Sequence, residues 1–272
     1  MYLQRSSAVN LQASGKVTAG RLLDVRFMST TALGQDERLP LYQRLRDEML
    51  GKIAAGEWLP GEAIPTEAEL TRHYGVAVGT VRKAVETLVA EGLLLRAQGR
   101  GTFVRRPNFD GSLFRFFRQV SASGQPQVPQ SRILDCRQVP ADATVSQALK
   151  LGEGEPCVFL QRLRLIDGRP LFHERIWLPA SRFSALLDIA PDDFPQLLYP
   201  FYEQHCGQRI ASAQETLTVS AADAELAAIL DVAEASPSVV IERTALGYDR
   251  TPLEYRLSRA AAKNFRYQVE IS

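Results

Sequence analysis

Between Pro65 and Val104 the chain reads PTEAELTRHYGVAVGTVRKAVETLVAEGLLLRAQGRGTFV, and few folds accommodate that order of signals. Thr66 with Glu69 three residues on is a capping box: the hydroxyl accepts from an early helix N–H and the carboxylate reaches back to the cap. The helix it starts ends near His73–Tyr74, and Gly75 supplies the turn. In the helix that follows, Val81, Ala84, Val85, Leu88 and Val89 recur at helical spacing as a buried stripe. Thr80, Arg82, Lys83 and Thr87 hold its other face, and Gly92 is placed to stop it. Leu93–Arg96 and Thr102–Val104 are strand-like, joined by Ala97-Gln98-Gly99-Arg100-Gly101. The order predicts a helix-turn-helix followed by a wing.

Such a unit suits duplex DNA. A helix fits the major groove, its first exposed residues meet base edges, and flanking groups hold phosphates. Thr80, Arg82 and Lys83 stand at the front of the second helix. Gly99 and Gly101 let the hairpin backbone approach closely, with Arg100 between them to probe phosphate or the minor groove. Capping box, apolar stripe and Gly-Arg-Gly tip in this order favour DNA over a small helical domain with a solvated basic face.

The 272 residues are enough for two domains of ordinary size. A formal net charge of +1 excludes a polycation, so a nucleic-acid role has to rest on local charge. The segment from Arg72 to Arg106 supplies it, with seven basic residues against Glu86 and Glu91. Cys136, Cys157 and Cys206 are dispersed, without metal-ligand spacing, and read as reduced thiols of a cytosolic protein. No apolar run reaches membrane-span length, and neither metal nor cofactor is expected.

Residues 1–37 lack sustained periodicity and carry Arg5, Lys16, Arg21 and Arg26. They read as a disordered extension, or as the product of a start site placed upstream of Met28. From Leu39 a helix is predicted with Leu41, Leu45, Met49 and Ile53 on one face and Gly56 at its end. Arg106-Pro107-Asn108 marks a linker, taken as 107–114. Beyond it strands prevail. Gln130–Val139 is strand-like, and Ala143–Leu149 is a short helix capped by Asp142. Cys157–Ile166 and Arg169–Leu178 form a hairpin around Asp167-Gly168. Pro191–Gln204 is helical in part, Gln214–Val219 is a strand, and Ala221–Leu230 is a helix. Ser238–Tyr248 and Leu253–Leu257 make a second hairpin. RLIDGRPLFHE and ALGYDRTPLEY share an Asp-x-x-Pro-Leu core, which points to two related hairpins in one sheet.

Arg162 and Arg164 alternate onto the face of the strand that carries Val158, Leu160 and Ile166. Buried guanidiniums in apolar company require a partner. Two readings are open, an anionic guest or internal pairing with Glu174 and Glu254. Register separates them. A two-residue turn at Asp167-Gly168 places Glu174 on the opposite face, whereas a three-residue loop with left-handed Gly168 sets it across from Arg162.

The residues Pro40-Leu41-Tyr42, Pro60-Gly61, Ile64-Pro65-Thr66-Glu67, Tyr74-Gly75-Val76, Thr80-Val81-Arg82, Glu91-Gly92 and Gly99-Arg100-Gly101-Thr102 resemble the DNA-binding domain of the GntR family of bacterial transcription regulators. The remainder resembles its HutC branch, and the resemblance spans roughly residues 39 to 268. It implies an α+β chain, with a winged helix-turn-helix domain at 38–106 and a UTRA domain at 115–268, an antiparallel sheet similar to chorismate lyase. The implied role is a metabolite-responsive repressor, cytoplasmic and nucleoid-associated, bound as a homodimer to a palindromic double-stranded operator and released by a small anionic effector. The residues expected at DNA are Thr66, Thr80, Arg82, Lys83, Gly99, Arg100, Gly101 and Thr102. Those expected at the effector are Arg162, Arg164, Glu174, Tyr199 and Glu254.

This sequence also departs from the family. Ala77 and Val78 stand where most relatives have Ser and Arg. Phe117 and Leu197 replace hydroxyl residues of phosphosugar binders, and Ala260 replaces an aromatic residue of some members, so a carboxylate or other compact anion is the expected effector. Two rival roles are a lyase-like enzyme domain and a DNA-binding protein without effector. His73, His173 and His205 are not arranged with a nucleophile, and Ser112, Ser121 and Ser123 sit in no nucleophile-elbow pattern.

Overall fold

A computed structural model of the chain describes residues 38–106 and 129–265. The readings of residues 1–37, of the linker 107–114 and of Phe117 lie outside them. Three helices and a hairpin form the first unit: α1 (Leu41–Ala55), α2 (Glu67–Tyr74), α3 (Val78–Ala90), β1 (Leu94–Ala97) and β2 (Gly101–Val104). The capping box is present in both directions, with Glu69 N donating to Thr66 Oγ1 and Thr66 N to Glu69 Oε2. Gly75 closes α2 with φ 64°, a left-handed conformation open to glycine without steric cost. Ala77 caps α3 without a side-chain bond, as its methyl requires.

Leu45, Met49 and Ile53 of α1 pack on Leu70, Val81, Ala84, Val85 and Leu88. Leu41, expected on that stripe, is 41% exposed instead: it is the first residue of α1, with no earlier turn to cover it. The wing strands run further than expected, to Ala97 and from Gly101, so the tip is the three residues Gln98-Gly99-Arg100.

The second unit is a six-stranded antiparallel sheet in the order β3-β4-β5-β8-β7-β6. Its strands are β3 (Gln130–Pro140), β4 (Pro156–Ile166), β5 (Arg169–Pro179), β6 (Ile210–Ala221), β7 (Pro237–Gly247) and β8 (Pro252–Ala261). Its helices are α4 (Ala143–Leu149), α5 (Ala180–Phe183), α6 (Leu198–Cys206) and α7 (Ala224–Leu230). One sheet face carries Val158, Leu160, Ile176 and Leu178 against Phe183, Leu198 and Tyr202. The other carries Cys157 and Tyr255 against Val145 and Leu149 of α4. α5 went unread in the sequence because its four residues follow a strand without a break. α7 begins at Ala224 and not Ala221, since Asp223 caps it by accepting from Leu226 N at 2.8 Å.

The register question has an answer that neither expected loop supplied. The β4–β5 turn is the two-residue one, with Asp167 and Gly168 both at positive φ (49° and 73°) as a type I′ turn demands. Yet Arg162 still faces Glu174, because β5 bulges: Leu165 pairs with Pro170 and Arg164 with Phe172, which leaves Leu171 extra. The second hairpin repeats the device. Leu246 pairs with Pro252 and Ala245 with Glu254, and Leu253 is the added residue. The shared Pro-Leu of the two sequence echoes is therefore a repeated bulge, seated where a proline costs no ladder bond.

Deleting Leu171 is expected to turn Glu174 off the Arg162 face and to abolish cooperative unfolding in urea. Gly168→Ala, which strains only the turn, should cost about 1 kcal/mol in the same measurement.

Candidate functional site

On the first unit Arg82 and Lys83 are exposed and Thr80 half-buried at the front of α3. Glu67, in the first turn of α2, holds two of the cations. Its Oε2 lies 3.3 Å from Arg82 Nε and its Oε1 3.1 Å from Arg96 Nη2, so one carboxylate ties the reading helix to the wing. Lys83 places its ammonium 4.0 Å over the Tyr42 ring of α1. Gly99, Arg100 and Gly101 are exposed at the wing tip and Thr102 is half-buried behind it. Thr66 has its hydroxyl engaged within its own cap, donating to Glu69 Oε2 at 2.7 Å. Glu67 and Arg96 were not expected here, although Glu67 lies on the sequence at the turn-start motif itself.

On the second unit Arg162, Arg164, Glu174 and Glu254 are buried together on one face of the sheet. They form a polar layer between two apolar clusters, one around Leu160, Ile176 and Tyr202, the other around Phe172, Val239 and Ile241. Arg162 Nε donates to Glu174 Oε2 at 2.5 Å, and Ser258 Oγ donates to Glu174 Oε1 at 3.2 Å. Arg256 Nη2 donates to Glu254 Oε2 at 2.6 Å, and Arg256 Nη1 lies 3.6 Å from Glu174 Oε1. Two tyrosines on α6 complete Glu254: Tyr199 donates to Oε1 at 3.0 Å and Tyr202 to Oε2 at 2.9 Å. Arg243 donates to the Tyr199 hydroxyl and to Glu215 of β6. Arg243, Arg256, Tyr202 and Glu215 were missed on the sequence. The same signal marked the first of them, since Val239, Ile241, Arg243 and Ala245 alternate as Val158, Leu160 and Arg162 do.

Internal pairing, the second reading of the arginines, is thus real for Arg162. It does not extend to Arg164, which is 0% exposed and whose Nε and Nη2 have no hydrogen-bond partner among the described residues. Its one bond runs from Nη1 to the Gln196 carbonyl. Burial, with the Arg162 charge beside it, pulls the Arg164 guanidinium down to about 10, which leaves it charged at neutral pH. Burial would push the Glu174 carboxyl up, but Arg162, Arg256 and Arg164 together hold it down to about 2. Burial and the Glu254 charge push both tyrosine hydroxyls upward, so they stay protonated donors. Within the layer four guanidiniums, of Arg162, Arg164, Arg243 and Arg256, meet three carboxylates, of Glu174, Glu215 and Glu254. Among the described residues the layer is one negative charge short of neutral.

Two family models match the chain: the UTRA domain over residues 124–266, and the bacterial regulatory proteins of the gntR family over residues 41–104. The HTH-type transcriptional repressor NagR of Bacillus subtilis is 30% identical over 231 residues, covering 83% of this chain and 92% of that protein. The chain belongs to the GntR family. Its second unit is a UTRA domain, and its relatives are regulators of transcription, not enzymes. The mannosyl-D-glycerate transport/metabolism system repressor MngR of Escherichia coli is 27% identical over 233 residues, covering 85% of this chain and 95% of that one. Among solved structures, the ligand-binding domain of a GntR-family regulator from Bordetella bronchiseptica superposes with a TM-score of 0.53 at 28% identity, over 58% of this chain and 96% of that domain. Among the described residues no helix is long and apolar enough to cross a membrane.

Glu174→Gln is expected to cost about 3–5 kcal/mol at neutral pH, because it strips Arg162 of its buried carboxylate and leaves Arg256 with Glu254 alone. The native carboxyl titrates near 2 and the unfolded one near 4.5. Its contribution is therefore complete above about pH 4.5 and lost as pH falls toward 2. Urea midpoints of native and variant chains should differ most above pH 4.5 and converge below it.

Proposed function

We propose that this regulator is a repressor that binds a palindromic operator as a homodimer at the nucleoid, in the cytoplasm, and lets go when a small anionic effector enters the UTRA domain. The observation that carries the effector reading is Arg164, a wholly buried guanidinium with two N–H-bearing nitrogens that meet no acceptor among the described residues. Such donors cost several kcal/mol unless something meets them. A carboxylate matches both: it brings the missing negative charge and two oxygens that a guanidinium fork binds side by side. Two features of the surroundings favour a compact guest over a sugar phosphate: Leu197 at the N-cap of α6 offers no hydroxyl, and Ala260 lies buried in the neighbouring apolar cluster. The relative MngR is named for mannosyl-D-glycerate, a compound that itself carries a carboxylate.

Thr80, Arg82, Lys83 and the wing residues Gly99, Arg100, Gly101 and Thr102 are proposed to meet DNA, with Thr66 at the flanking phosphate through its backbone end of the helix. Two reading helices would then serve half-sites about 34 Å apart. β6 supports pairing of two chains. It lies at the margin of the sheet with Leu217 and Val219 exposed at 41% and 67%, an open edge that a partner strand would cover. The relatives named as repressors support repression over activation.

Arg82→Ala should weaken binding to a duplex selected from a random pool by about 1–3 kcal/mol, measured by gel shift. For the effector, short mono- and dicarboxylates and a set of phosphosugars are titrated against the chain and scored by melting temperature. At hundredfold excess over Kd a true ligand raises the transition by about 5–10 °C. Carboxylates are expected to do so, and Arg164→Gln to abolish the rise. A preference for phosphosugars, or a rise that survives Arg164→Gln, would overturn this assignment.

A further inference from the structure

The UTRA sheet does not end at its own border. Tyr248, the residue after β7, is 3% exposed and lies in the core of the winged domain, in one cluster with Leu45, Met49, Leu88 and Val104. Its hydroxyl donates to the carbonyl of Arg105 at 2.8 Å, at the point where the chain leaves the wing. Ala211 of β6 packs against the same cluster. Beside it, the Arg209 guanidinium lies over Gly56 at the C-cap of α1, so closely that a Cβ at Gly56 would collide with it.

Both contacts lead back to one carboxylate. Glu254 pairs with Ala245 across β8 and β7, and Tyr248 stands three residues beyond Ala245. Glu254 is also held by Tyr199 and Tyr202 of α6. The next residue of that helix after Tyr202 is Glu203, whose carboxylate holds Arg209 Nε at 2.8 Å. Two short rigid paths, a hairpin and a two-turn helix, thus run from Glu254 to the winged domain. We propose that Tyr248 is a positioning residue for the DNA-reading head, through which the bonding state of Glu254 sets the orientation of α3 and the wing. A guest that draws Arg256 or a tyrosine hydroxyl away from Glu254 would shift the β7–β8 hairpin, and the Tyr248 ring would carry that shift into the core on which α3 rests. Coupling of this kind requires an element held in common by both sites, and the hairpin is one.

The proposal rests on the effector reading for its physiological trigger, but its test needs no effector. Affinity for a duplex selected from a random pool is measured by fluorescence anisotropy on the full chain. Glu254→Gln is compared with its parent in three backgrounds: native, Tyr248→Phe, which keeps the ring, and Tyr248→Ser, which removes it. Tyr199→Phe, which takes one bond from Glu254, is the milder perturbation where Glu254→Gln unfolds the chain. In the native background the perturbation should change affinity by about fivefold or more, the usual scale of coupling between sites. With Tyr248→Ser the change should fall below about twofold, and Tyr248→Phe should restore most of it, which loss of stability alone would not do. Equal changes in all three backgrounds overturn the route, and so does the absence of any change in the native one. If no anion binds yet the coupling depends on Tyr248, the effector reading fails and this one stands.

Discussion

Glu174 opposes Arg162 because one leucine, Leu171, is surplus to the ladder between β4 and β5. Side chains alternate along a strand, so a slip of one position moves every later group to the other face. Without the bulge Glu174 would leave the polar layer, and Arg162 and Arg256 would lie buried within reach of no second carboxylate but Glu254. The second hairpin uses Leu253 in the same way to seat Glu254. Two extra leucines therefore fix where the sheet keeps its charges. What looks like an electrostatic site depends first on backbone register.

The layer is expensive and poorly suited to stabilising the fold. Buried ion pairs regain their desolvation cost only when every lone pair and proton is matched, and apolar residues of the same volume commonly do as well or better. Glu174 and Glu254 are matched, with three polar partners each: Arg162, Ser258 and Arg256 for the first, Tyr199, Tyr202 and Arg256 for the second. Arg164 is not. Apolar clusters on both sides show that the sheet could have closed over leucines here. Arg162 and Arg256 each leave one buried nitrogen without a partner among the described residues, whereas Arg164 leaves two and meets no carboxylate, a cation that folding explains less well than a ligand does.

Much of this was legible in the residues. Capping boxes, helical stripes and Asp-Gly turns are local chemistry, and they placed α2, α3, α4 and both hairpins within a residue or two, except that β8 runs four residues past Leu257 to Ala261. The alternation of Arg162 and Arg164 with valine and leucine exposed the charged face of β4. Two kinds of feature stayed hidden. The bulges were marked by the shared Pro-Leu, but which face they give Glu174 and Glu254 depends on cross-strand pairing, a long-range choice that the echo alone does not record. The tether of Arg82 and Arg96 to Glu67 joins residues 15 and 29 positions apart, and only the folded helix pair brings them together. Tyr248 read as the end of an ordinary strand, for nothing near it in the sequence says that its ring belongs to another domain's core.

The Tyr248 contact bears on how such a chain can respond at all. The winged domain has a small core, and a single aromatic ring from the sheet is a sizeable share of its packing. Burial pushes the Tyr248 hydroxyl up to about 12, aided by Glu203, so it remains a donor to Arg105 at any physiological pH. A flexible connection would let the reading head turn freely and would transmit nothing. A broad interface would lock it against a compact guest whose differential binding supplies only a few kcal/mol. One ring and one guanidinium, each tied within a few residues to Glu254, lie between those limits. That is the range in which a charge gained at Arg164 can alter the presentation of Arg82.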